Sequence, residues 1–285
     1  MNLVYQAYGN LQIIRQSLFS IASLLQVAPD FDGKIFIYTD RVDELKKFLG
    51  QDPRFVLREI QPKLIEDWSG PLRFVHRVKL KVLLDVLMQA SGRIVYLDGD
   101  TIFRQNPSAL FSSISPQNSL MHVSEFELSR PGGILPKKIA RFVKGKVFKL
   151  PQDGPQASPV NQELKVDLNF SMWNAGVIGF DEANRKFLPR ALAFTDIAYG
   201  EYQKHVMEQL AVSVCLQERG KVSACDEVIE HYWQHKVFFQ QIIDSYLEKN
   251  ASLAMAVKNF PTKEALEPPP LPIKQTWGIF SFLFR

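Results

Sequence analysis

Cysteine is nearly absent: Cys215 and Cys225 are the only two in 285 residues, too few for a disulfide framework and in keeping with a reducing compartment. Long apolar runs are missing too, so no segment reads as a bilayer-spanning helix. A strand-like run at residues 3–8 starts almost at Met1 and leaves no room ahead of it for a secretory signal, so a cytoplasmic setting is expected. Neither sign of charge dominates. Lys and Arg number 34 against 30 Asp and Glu, a formal net charge of +4, and nucleic acid is not an expected partner. There is no internal repeat. The first strand is followed by Tyr8-Gly9-Asn10-Leu11, which is not a glycine-rich phosphate loop. Apolar content near the globular average, on a chain of this length, points to one large α/β domain or two small ones.

Periodicity organises the first hundred residues. After the first strand, Asn10 is a good N-cap, and Leu11, Ile14, Leu18, Ile21, Ala22 and Leu25 recur at helical spacing. A strand at 35–38 runs into Thr39-Asp40, a short helix covers 42–49, and a third strand lies near 55–57. A long helix over 72–90 then feeds the apolar strand Ile94-Val95-Tyr96. This β-α-β order predicts a mostly parallel sheet with right-handed crossovers. The stretch 106–167 holds Pro131-Gly132-Gly133, Pro151, Pro155 and Pro159 and shows no clean period. Regularity returns at 170–180, which reads as a strand entered through a tight turn. Helices are expected over 184–199 and 201–218, then a strand at 228–233 and a last helix over 238–249. Cys215 falls in an apolar helical run and reads as core. The proline-rich segment 261–272 is expected to be extended and poorly ordered, ahead of a hydrophobic tail from Trp277 to Arg285.

The most informative residues close the fourth strand. In Leu97-Asp98-Gly99-Asp100 two carboxylates flank one glycine where a buried strand meets a loop. The carboxyl ends of parallel strands are where open α/β sheets bind ligands. Like charges there raise each other's pKa, so a divalent cation with hard oxygen ligands is the natural partner. The competing reading is a simple turn, because Asp-Gly-Asp-Thr is also turn chemistry. Lys79 lies off the polar stripe of its helix formed by Arg73, Arg77, Lys81, Asp85 and Gln89. It either snorkels outward or meets an anion such as a substrate phosphate. The turn Trp173-Asn174-Ala175-Gly176 combines an amide with small residues. Glu208-Gln209 opens a helix that is apolar almost all round, and the pair either caps it or projects into a binding cleft. His231 stands on an apolar strand, followed by His235 and Lys236, and reads as a core imidazole or as a metal ligand.

In this order these pieces resemble the GT-A-fold glycosyltransferases, most closely glycosyltransferase family 8, over residues 3–240. The resemblance implies a metal-dependent enzyme that moves a sugar from a nucleoside-diphosphate sugar to a glycan or lipid-linked acceptor hydroxyl with retained configuration. It implies that Asp98, Asp100 and His231 hold Mn²⁺ or Mg²⁺, with His235 as the other candidate for the histidine. Asp98 and Gly99 would also approach the donor, and Lys79 or Lys236 its diphosphate. Asn174, Glu208 and Gln209 would line the sugar and acceptor side, with Glu208 the residue expected to meet the transferring sugar. Ala7, Tyr8, Asn10 and Asp40 would lie on the base side. The chain departs from the family in having Glu208 where Asp is usual, Ala175 where Ser is usual, and a different spacing from His231 to Lys236. Residues 1–260 are then one GT-A domain with an acceptor-side insertion at about 106–167, and 261–285 are a linker and tail. The basic amphipathic stretch Lys137, Lys138, Arg141, Lys144, Lys146 and Lys149, interleaved with Ile139, Phe142, Val143 and Phe148, reads as a solvated face or as a contact with the inner face of a membrane. Two other readings fit the same sheet: a nucleotidyltransferase, or a protein that binds sugar nucleotides or glycans without turnover.

Overall fold

The computed structural model of the chain describes residues 1–150 and 163–270. Its first half runs β1 (Asn2–Gln6), α1 (Leu11–Val27), β2 (Lys34–Thr39), α2 (Val42–Leu49), β3 (Phe55–Glu59), α3 (Pro62–Ser69), α4 (Arg77–Leu87) and β4 (Arg93–Leu97). Next come β5 (Thr101–Phe103), α5 (Ser108–Ser112), β6 (Asn118–Met121), β7 (Ser124–Glu127), α6 (Ile134–Val143) and β8 (Val147–Lys149). After the undescribed 151–162 follow β9 (Glu163–Lys165), β10 (Ser171–Trp173), β11 (Val177–Asp181), α7 (Phe187–Glu201) and α8 (Met207–Gln217). The last elements are β12 (Lys221–Ala224), β13 (Ile229–His231), α9 (Lys236–Lys249) and α10 (Leu253–Lys258).

Seven strands form the central sheet in the order β12-β6-β11-β4-β1-β2-β3. β4, β1, β2 and β3 are mutually parallel, as the β-α-β pattern predicts, while β11 runs antiparallel between β4 and β6. Alternate side chains of each strand feed two cores. Val4, Phe36, Ile94 and Tyr96 pack against α4, α7 and α8 on one face. Leu3, Tyr5, Ile35, Ile37, Val95 and Leu97 pack against α1, α9 and α10 on the other. Burial on both faces is why these strands are continuously apolar rather than alternating. Asn10 caps α1 as expected, its side chain accepting from the Gln12 N–H.

The structure departs from the sequence reading in four places. The helix expected over 72–90 is only α4, because Gly70 and Arg73 take left-handed backbone and break the chain ahead of it. Its polar stripe is also less solvated than expected: Arg77 pairs with Asp196 at 2.7 Å, and Asp85 accepts from the Tyr38 hydroxyl at 2.5 Å. The stretch 106–167, which showed no period, supplies β6, an interior strand of the sheet, besides β7, α6 and β8. Strands of three or four residues are too short to show a period. The run 170–180 is two strands rather than one: β10 pairs with β7 in a separate ribbon, and β11 joins the main sheet. Finally, the start of the proline-rich segment is not simply extended. Leu266 is buried in a short 3₁₀ turn, and its carbonyl accepts from the Arg104 guanidinium at 2.9 Å. Pro151, Pro155, Pro159, Pro272 and the tail from Trp277 to Arg285 lie outside the described residues. Among the described residues no helix is long and apolar enough to cross a membrane.

Candidate functional site

The carboxyl end of β4 carries the site. Asp98 and Asp100 leave the sheet there, and Gly99 between them lies against α1. A Cβ on Gly99 would come within 2.8 Å of Ser17 Oγ, so the loop needs glycine to sit this close to the helix. β5 follows at once and pairs antiparallel with β13, which sets His231 opposite Thr101. This register joins residues more than 130 positions apart: His231 Nε2 lies 3.2 Å from Asp100 Oδ1 and 3.9 Å from Asp98 Oδ2.

Asn174 fixes the histidine tautomer. Its Oδ1 accepts from the Gly176 N–H at 3.0 Å, so the same oxygen, 2.8 Å from His231 Nδ1, must accept a proton there as well. His231 therefore carries its Nδ1 proton toward Asn174 and turns Nε2 toward the carboxylates. A neutral imidazole would aim a lone pair at the oxygen of a side chain that is only 6% exposed. Two acceptors at that distance repel unless a proton or a cation lies between them. Two carboxylates and one imidazole are a suitable donor set for Mn²⁺ or Mg²⁺, and their ligand atoms all lie within 4.8 Å of one another. Gly176 makes room for the ring, since a Cβ there would stand 2.2 Å from His231 Nδ1. His122 holds the backbone behind it, accepting from the His231 N–H at 3.1 Å.

Cations surround the carboxylates. Lys236, at the start of α9, places Nζ 2.9 Å from Asp100 Oδ2 with 57% of its side chain exposed. Burial would raise the Asp100 carboxyl, but His231 and Lys236 outweigh it and hold it well below the ordinary carboxylate range. Lys79 does not snorkel. It is buried under the site, donates to the Ala175 carbonyl at 2.9 Å, and lies 3.4 Å from Asp98 and 3.8 Å from Glu208. Burial alone would lower its pKa, yet Asp98 and Glu208 raise it, so the ammonium stays charged. The Tyr96 hydroxyl fixes Asp98, donating to Oδ1 at 2.8 Å.

Glu208 does not cap α8. It is 2% exposed, and among the described residues its Oε1 has no hydrogen-bond partner. Burial pushes its pKa up to about 7, Lys79 pulls it back, and Asp98 adds to the rise. Gln209 points elsewhere and donates to Glu125 Oε2 at 2.8 Å, while Asn174 Nδ2 donates to Glu125 Oε1 at 3.1 Å. Glu125 thus braces two of the expected residues, and the sequence reading passed over it and His122 alike. Neither lies in a motif, and both fall in the stretch without a period. Of the residues expected on the base side, Ala7 is buried, Asp40 accepts from the Gly9 N–H at 3.0 Å, and burial together with Asp40 pushes the Tyr8 phenol up to about 12. Asn10 has its side chain engaged in the helix cap. Of the two histidine candidates, His231 meets the carboxylates; His235 sits in a 3₁₀ turn past β13 and is not part of the cluster.

No family model matches this sequence, and no curated protein does either. Solved structures match its fold. The galactosyltransferase LgtC, in complex with donor and acceptor sugar analogues, aligns with a TM-score of 0.51 at 14% identity over 79% of this chain and 73% of that one. An active-site mutant of LgtC gives 0.50 at 14% identity, over 79% and 72%. Mouse xyloside xylosyltransferase 1 in its apo form gives 0.50 at 13% identity, over 79% and 86%. At such identities the likeness is one of architecture: this chain has the GT-A fold of those glycosyltransferases.

Proposed function

We propose that the protein transfers a glycosyl group from a nucleoside-diphosphate sugar to an acceptor hydroxyl on a glycan or a lipid-linked carrier, with retention of configuration. The observation that carries the proposal is the imidazole whose Nδ1 proton is tied to Asn174, so that Nε2 faces Asp98 and Asp100. Asp98, Asp100 and His231 are the residues to hold Mn²⁺ or Mg²⁺, which when bound stabilises negative charge on a leaving diphosphate.

The chain's own residues do the remaining work. Lys236, the most exposed of the site's cations, is placed to pair with a phosphate oxygen. Lys79 faces Asp98 from beneath at 3.4 Å and donates to the Ala175 carbonyl, tying α4 to the turn ahead of β11. Glu208 Oε1, an orphan buried acceptor, accepts a hydrogen bond from a hydroxyl of the transferring sugar. Asn174 acts through His231 as a positioning residue, and Glu125 with Gln209 shapes the acceptor side. Ala7, Tyr8, Asn10 and Asp40, at the ends of β1 and β2, form the base side.

Melting the protein against a panel of nucleotide sugars, with and without Mn²⁺, tests this reading. One donor should stabilise it only when the metal is present, by about 2.7 kcal/mol at a hundredfold excess over Kd. The same donor should be turned over, and Asp100→Asn should abolish both effects. Pyrophosphate release from a nucleoside triphosphate, or stabilisation that survives in Asp100→Asn, would overturn it. Stabilisation without any turnover would mark a binding protein.

A further inference from the structure

Between Arg130 and Leu150 the sequence carries seven basic residues and not one acidic residue. The whole chain is only +4, so the remainder is net negative and the positive charge is concentrated here. The fold displays it on one surface. α6 buries Leu135, Pro136, Ile139, Ala140 and Val143 against the body. Its outer stripe, at helical spacing, is Ile134, Lys137, Lys138, Arg141 and Lys144, all exposed. Solvated helix faces usually mix both signs. This one does not, and among the described residues only Lys146 of the seven has an acidic partner, Glu201.

Two apolar side chains share this surface. Ile134 is 73% exposed at the start of α6, and Val147 is 45% exposed on β8 beside Lys149. On the flank of α6 the Phe142 ring lies 5.5 Å from that of Tyr202.

We propose that the outer face of α6, with the neighbouring edge of β8, docks on an anionic lipid bilayer. Headgroup phosphates match the unpaired cations, and the acyl boundary takes Ile134 and Val147. A nucleic-acid duplex would match the charge but offers nothing to two exposed aliphatic side chains. Each basic residue held near an anionic surface multiplies partition roughly fivefold. The inference stands apart from the transferase reading, because binding to vesicles needs neither metal nor donor.

Cosedimentation of the full chain with phosphatidylcholine vesicles, with and without phosphatidylglycerol, tests it. Binding should appear only with phosphatidylglycerol and weaken with added salt. The triple variant Lys137→Gln, Lys138→Gln, Arg141→Gln should lose on the order of a hundredfold in partition while melting as the wild type does. Ile134→Ser, which leaves every charge in place, should weaken binding several-fold. Equal binding to both vesicle types, undiminished binding by a triple variant of unchanged melting temperature, or binding to duplex DNA with none to vesicles would each overturn it.

Discussion

Glu208→Gln should make this protein more stable and less active. In the native state burial keeps the Glu208 proton in place up to about pH 7, whereas the unfolded chain releases it near 4.5. Between those values the native state binds the more protons, so the residue's contribution to stability falls as pH rises and is flat above 7. At about 1.4 kcal/mol per pH unit, the interval amounts to about 3 kcal/mol of destabilisation at neutral pH and above. Glutamine removes the titration. It also removes an attraction to Lys79, which keeps its nearer partner Asp98 at 3.4 Å. A net gain of about 1–3 kcal/mol remains, or roughly 2–10 °C in Tm for a domain this large. Calorimetry across pH should show the gap between variant and wild type opening from 4.5 to 7 and then levelling off. The difference must be read between the two proteins. His76 and His122, which burial holds neutral down to about pH 4, contribute stability that is present above 6.5 and lost as pH falls, opposing Glu208 over the same window. If Glu208 meets the transferring sugar, the variant should also lose roughly tenfold or more in turnover. A variant that melts below wild type above pH 7, or a gap that does not change with pH, refutes the argument. A carboxylate retained at a cost in stability is the mark of a functional residue.

Three further outcomes follow from the same geometry. Gly176→Ala places a methyl group against the His231 ring, so the metal-dependent rise in Tm should vanish and turnover collapse, as thermal shift with Mn²⁺ would register. His122→Leu leaves the His231 N–H buried without its acceptor; denaturant unfolding near neutral pH should show a loss of about 1–3 kcal/mol, and calorimetric titration a weaker Mn²⁺ affinity. Unchanged affinity would mean the β13 backbone is held by other contacts. Asn10→Ala should cost about 1 kcal/mol in the same unfolding experiment through loss of the α1 cap, whatever its effect on donor binding.

The sequence by itself determined the parallel half of the sheet, because β1, α1, β2 and β4 are long enough for periodicity and capping to speak. It also singled out Asp98 and Asp100, since a carboxylate pair at the mouth of a buried strand is anomalous on chemical grounds alone, and it marked Lys79 as a cation turned inward. What lay beyond it were facts of pairing. Strands of three or four residues carry no period, so β6 went unseen inside the sheet and Glu125 with it. The choice between His231 and His235 depended on the register of β13 against β5, a contact across more than a hundred residues that no local pattern encodes. The contacts of Asn174 are likewise tertiary: its oxygen accepts from the Gly176 N–H and lies 2.8 Å from His231 Nδ1, 57 residues on in the sequence. Local chemistry chose which groups are costly to bury; only the tertiary structure decided which of them face one another, because that depends on strand register and on the small residues that let backbones approach.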